Sequence, residues 1–116
     1  MIERGAIHLV DLDPSLGSES NKVRPAIVVS NDAANATASR LGRGVVTVVP
    51  VTSNVARVYP FQVFLSVGDS GLDRESKAQA EQIRSIDVRR IGDRIGALTN
   101  ASLIEVDDAI RLHLAL

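Results

Sequence analysis

Several polar side chains fall where short strands would end: Arg24 at the mouth of one strand, Thr52 and Ser53 at the end of another, and Glu81, Gln82 and Arg84 further on. Glu19 sits in a long polar stretch between the first two strands. An arginine held at a strand end beside a hydroxyl can stabilise a charged, phosphorane-like transition state without a metal, because its planar fork presents several N–H donors to phosphate oxygens. On spacing alone, a salt bridge or a turn accounts better for any one of these residues.

Other chemistries are poorly provided for. His8 and His113 are the two histidines, one on the first strand and one on the last helix, so an acid/base pair would need the chain ends to meet; a packing or surface role is the simpler expectation for each. Gly42 and Gly44 flank Arg43 but lack the lysine and the spacing of a phosphate loop, and are expected to shape a turn. Asp11 and Asp13 lack the further ligands of a calcium loop, no HExxH motif occurs, and the absence of cysteine removes disulfides, thiolate metal sites and a thiol nucleophile. Neither metal nor cofactor is expected.

The elements that must position these groups are short. Gly5 to Val10 reads as a strand with Ile7 and Leu9 on one face and His8 and Val10 on the other. Residues 11 to 23, DLDPSLGSESNKV, concentrate turn formers and read as a long mobile loop. Pro25 to Ser30 is β-branched enough to be buried on both faces. Asp32 to Leu41 reads as one short helix capped by Asp32, or as a loop. Gly44 to Val51 is the clearest strand, and Pro60 to Leu65 sets Phe61, Val63 and Leu65 against Gln62 and Phe64. Gly68 to Asp73 is expected as a turn, and Lys77 to Ile86 as a strand despite its helix-favouring alanines and glutamines. Asp87 should cap a short turn over Val88 to Ile91, with Arg94 to Leu98 as a last strand. Leu103, Val106, Ala109 or Ile110, and Leu114 then recur at helical spacing; Thr99 is placed to cap that helix, and Ser102 with Glu105 matches a capping box.

About five or six short strands closed by one helix indicate an α+β, mainly β architecture: a small antiparallel barrel or strongly bent sheet with helical cover. The 116 residues suit a single domain spanning 1–116, small enough that a second subunit would add useful burial. A net charge of −1 argues against a protein that coats DNA nonspecifically, yet eleven of the thirteen cations are arginine, so a local basic groove is compatible with it. The residues from Met1 to Gly5 carry charge without an apolar leader, and no apolar run approaches the ~20 residues of a membrane span, so cytoplasmic residence is expected.

Arg4-Gly5, Asp11-Leu12-Asp13-Pro14, Gly17-Ser18-Glu19, Arg24-Pro25-Ala26 running to Asn31, Pro50-Val51-Thr52-Ser53, Pro60-Phe61-Gln62-Val63 and Glu81-Gln82-Ile83-Arg84-Ser85-Ile86 together resemble the MazF/PemK/Kid toxins, in the family's own order and over nearly the whole chain. The mycobacterial branch looks especially similar. The resemblance implies a Kid/MazF/CcdB-like, SH3-type barrel that forms a homodimer, binds single-stranded RNA across the dimer face, and is opposed by a MazE-like antitoxin whose tail competes for that groove. It implies sequence-specific, ribosome-independent cleavage by attack of a ribose 2′-OH on the adjacent phosphate, leaving 2′,3′-cyclic phosphate and 5′-OH ends. DNA lacks that nucleophile.

Carried over by position, Arg24 matches the arginine of the family's RPA block, as transition-state stabiliser and proton donor to the leaving oxygen. Thr52 matches the catalytic threonine and should bond the scissile phosphate with help from Ser53. Glu19 and Glu81 are supporting candidates: Glu81 would accept the 2′-OH proton or hold Arg24, or else merely pair with Arg84. Ser18, Ser20, Asn21 and Lys22 are expected on RNA as the loop orders over it, together with Asn54, Gln82 and Arg84. Some plasmid-encoded members carry an arginine two residues before the position of Glu81, where this chain has Gln79, so their acid/base assignment does not transfer. Two other readings compete: a CcdB-like poison that traps gyrase through its terminal helix, and a silent binder of RNA or antitoxin. Neither needs Arg24 beside Thr52.

Overall fold

A computed structural model describes residues 2–116; Met1, part of the charged N-terminal stretch, lies outside them. Among these residues the order is β1 (Ala6–Asp11), β2 (Val23–Val28), α1 (Asp32–Leu41), β3 (Val45–Thr52), β4 (Gln62–Leu65), α2 (Val67–Ser70), β5 (Ser76–Gln79), β6 (Arg84–Asp87), β7 (Ile91–Ala97) and α3 (Asn100–Leu114), with single 3₁₀ turns at Ala80–Gln82 and Val88–Arg90. The strands form one antiparallel sheet in the order β4-β5-β3-β2-β1-β7, with β6 also on β3. The class is α+β and mainly β, with seven described strands rather than five or six.

Alternation along the strands feeds two cores. Ile7, Ile27, Val49 and Val51 meet Leu65 and, from α3, Val106 and Ala109; Val10, Ala26, Val46 and Val48 meet Ile86 and, from α1, Ala38. Residues of opposite parity on the same strand thus face different helices, so the run in β2 is buried on both sides, as its β-branched composition requires. Both faces of the sheet are covered.

The stretch 77–86 is not one strand. Val51 pairs with Ala78 and Val48 with Arg84, so three steps along β3 match six along its partner. The three surplus residues leave the ladder as the 3₁₀ turn Ala80–Gln82, which carries Glu81 and Gln82 out of the sheet. Helix propensity in that segment is expressed as this one turn.

Asp32 to Leu41 is a helix, but its cap is Asn31, whose Oδ1 accepts from Ala34 N at 2.8 Å. Asp32 instead accepts from the backbone N–H of Arg4 at 2.7 Å. Its C-terminus closes on Gly42 at φ 64, bearing out the turn expected of Gly42 and Gly44. The turn expected over 68–73 begins earlier, as the helical turn α2, capped by Ser66 and closed by Gly71. On the face set against Val63 and Leu65, Phe64 is exposed but Gln62 is buried, its amide satisfied by Tyr59 N and Glu81. Thr99 caps α3 through Ser102 N at 3.3 Å, and Ser102 lies buried in the first turn instead of starting a capping box. Leu114 of the expected apolar stripe is exposed. Asp87 caps its turn through Arg89 N, as expected.

Candidate functional site

The β2–β3 register pairs Ala26 with Pro50. Arg24 and Thr52 each lie two residues beyond that pair, where the β2–β3 ladder has ended and Thr52 pairs instead with Lys77 of β5. The strands separate there, and both side chains border two adjoining hollows. The outer one, about 330 Å³, is walled also by Ser53, Asp73, Arg74 and Ser76. The inner one, about 190 Å³ and almost wholly polar, is walled by Ser18, Glu19, Ser20, Asn21, Gln79 and Gln82 as well as by Arg24 and Thr52.

Arg24 is half-buried. Its Nε donates to the Asn21 carbonyl at 2.8 Å and its Nη2 to Asn21 Oδ1 at 3.3 Å, which fixes the plane of the fork. Among the described residues no carboxylate lies within ion-pair distance of it. A guanidinium engaged in no ion pair, beside a hydroxyl and a polar hollow, is suited to an oxyanion even though Glu19 and Asp73 border the same hollows. Thr52 Oγ1 accepts from Asn54 N at 3.2 Å and Asn54 Oδ1 from Ala56 N at 3.3 Å, a pair of side-chain turns that stops β3 here. Asn54 Oδ1 thus shapes the turn.

The remaining candidates divide. Glu19 Oε1 accepts from Leu16 N at 2.9 Å, closing a turn within its own loop. Glu81 borders neither hollow: its Oε2 accepts from Gln62 Nε2 at 2.8 Å, and its Oε1 is buried without a partner. It holds neither Arg24 nor Arg84, whose Nη1 goes to the Leu12 carbonyl at 3.2 Å. Gln82 bonds the loop at Ser18 O and Ser20 N. Residues 11–20 are therefore tethered and not a free hairpin. Asp11 and Asp13 form a turn, with Asp11 Oδ1 accepting from Asp13 N at 3.1 Å. His8 is a buried packing residue, its Nδ1 2.9 Å from the Gly92 carbonyl, and His113 is exposed on α3.

The site is bordered also by Asp73, Arg74 and Ser76, which the sequence did not single out, and by Gln79, which it weighed only as a departure from some relatives. Arg74 lines the outer hollow, and Gln79 lines the inner one at the position where some relatives carry arginine. The charged cluster Asp73-Arg74-Glu75 after Gly71 was the signal for Arg74.

The model of PemK-like, MazF-like toxins of type II toxin-antitoxin systems matches residues 3–114. Endoribonuclease MazF9 of Mycobacterium tuberculosis is 62% identical over 116 residues, all of this chain and 98% of that protein. The crystal structure of MazF from Deinococcus radiodurans superposes with a TM-score of 0.81 at 29% identity, covering 98% of this chain and 96% of that one. A MazE-MazF structure from the same organism gives 0.74 at 28% identity, covering 98% and 96%. With the fold, the strand-end arginine and threonine, and a full-length match in hand, the chain belongs to the PemK-like, MazF-like toxins of type II toxin-antitoxin systems.

Proposed function

We propose that this chain is a sequence-specific endoribonuclease toxin that cuts single-stranded RNA, with Arg24 and Thr52 as its catalytic residues. The observation that carries the reading is the Arg24 guanidinium, in no ion pair among the described residues and lining with Thr52 both of two adjoining hollows. The ribose 2′-oxygen attacks the adjacent phosphorus, the bond from phosphorus to the 5′-oxygen breaks, and the products are a 2′,3′-cyclic phosphate and a 5′-OH. One proton leaves the nucleophile and one reaches the leaving oxygen, so the step is balanced with no metal or cofactor. Arg24 stabilises the charge that builds on the phosphorane oxygens, and Thr52 donates to the same phosphate, with Ser53 beside it. Ser18, Ser20 and Asn21, which border the inner hollow, and Lys22 next to them in the chain meet the bases and phosphates.

MazF9 is named an endoribonuclease, and the Deinococcus toxin has been solved with MazE; by the family relationship this chain takes RNA as substrate and a MazE-like antitoxin as partner. It acts as one domain, as a homodimer in the cytoplasm, and arrests growth when its antitoxin is lost. No described helix is long and apolar enough to cross a membrane. The gyrase-poison reading leaves Arg24 beside Thr52 without a use. A single 2′-deoxy substitution at a mapped cut site should block cleavage there and nowhere else; continued cutting at that position would overturn 2′-OH attack.

A further inference from the structure

The segment after β5 straps down the loop between β1 and β2. Arg90 Nη1 donates to the Asp11 carbonyl at 3.1 Å and to the Asp13 carbonyl, and Arg84 Nη1 donates to the Leu12 carbonyl at 3.2 Å, which fixes the loop's base. Gln82 alone among these reaches its tip. Its Nε2 donates to the Ser18 carbonyl at 3.1 Å and its Oε1 accepts from the Ser20 N–H at 3.0 Å. One amide thus meets a backbone acceptor and a backbone donor two residues apart, as a neighbouring strand would. The next residue, Asn21, holds the Arg24 fork by two hydrogen bonds. Gln82 makes this reach only because the three surplus residues of the β5–β6 register lift it out of the ladder.

Resting on the reading of Arg24 as the transition-state stabiliser, we propose that Gln82 is a positioning residue for RNA cleavage: by clamping Ser18 and Ser20 it holds Asn21 where Asn21 aims the Arg24 guanidinium. The amide's oxygen and nitrogen each already meet the loop backbone, so the role proposed for Gln82 is to hold the loop and not to read RNA. Releasing the clamp leaves Arg24 present but unaimed, and misplacement of a catalytic group by about 1 Å costs on the order of 10- to 100-fold in rate. Because aim matters only in the transition state, the loss falls on kcat rather than KM.

The test uses the full-length chain, a fluorogenic RNA oligonucleotide carrying a mapped cut site, and the ¹H–¹⁵N resonance of Arg24 Nε. Gln82→Ala should lower kcat on the order of 10- to 100-fold with KM changed less than about twofold, and should speed exchange of the Arg24 Nε–H. Gln82→Met keeps the length without the amide and should do the same, which covers the case of an unstable alanine variant. Unchanged kcat with an unchanged Nε resonance would overturn the clamp, as would a raised KM at constant kcat, which would make Gln82 an RNA contact. A native chain that cuts no RNA would overturn the cleavage reading instead, and the Nε resonance would still decide whether Gln82 holds Arg24.

Discussion

Replacing Arg24 or Thr52 removes a guanidinium or a hydroxyl at the open end of a strand pair and leaves both cores intact. Arg24→Ala and Thr52→Ala should therefore each lose cleavage by at least the 10²–10³-fold typical of a deleted oxyanion donor, with the thermal midpoint and the oligomer unchanged. Cleavage at native rates by either folded variant would remove that residue from the chemistry. A second prediction concerns acid. Asp87 is held down to about 2 from 3.8, first by the Arg89 side chain and then by the Arg89 N–H; Asp32 is also lowered, first by the Arg4 N–H. Both folded values lie below the unfolded ones, so the stabilisation is complete above pH ~4 and is lost as pH falls toward 2. Melting curves from pH 2 to 5 should show the decline, and Asp87→Asn should flatten part of it. Arg24 and Thr52 could be placed at strand ends from local pattern, but spacing alone favoured a salt bridge or a turn, and the family's blocks were what singled them out. The contacts of Glu81 and Gln82 were not legible, because their partners, Gln62 and the 18–20 backbone, depend on a register shift that local pattern does not encode.

Among the elements, β3 organises the molecule: it carries β2 on one edge and shares the other between β5 and β6. The valine-rich run that made it the clearest strand in the sequence feeds two cores, one under each long helix. α3 was readable from its apolar spacing and its Thr99 cap, and it delivers Val106 into the larger core with no exposed surface. Val106→Ala should cost roughly 1–3 kcal/mol in denaturant melts, from lost burial plus the space left behind. Truncation before Leu103 should leave no cooperative transition, and a stable truncated protein would contradict the placement of that helix. α1 stayed ambiguous because its alanine-rich sequence has a weak apolar face; what holds it is buried Asn35, whose Nδ2 donates to the Ser30 carbonyl at 2.9 Å and whose Oδ1 accepts from Ser30 Oγ at 2.5 Å. A buried amide in a helix gives no apolar signal.

At the scale of the whole molecule, the proposed homodimer should elute and scatter as twice the mass of one chain, and Arg24→Ala should not alter that. Antitoxin binding and RNA cleavage should compete if both use the groove beside Arg24 and Thr52. The central claim is that this chain cuts RNA at a recurring short motif through Arg24 and the substrate's own 2′-OH. The most direct test is to incubate purified protein with a long synthetic RNA in EDTA, beside Arg24→Ala, and map the new 5′ ends. Discrete 5′-OH ends at one recurring motif, absent with the variant, are the predicted result; no cleavage by the well-folded native protein, or equal cleavage by the variant, would contradict it.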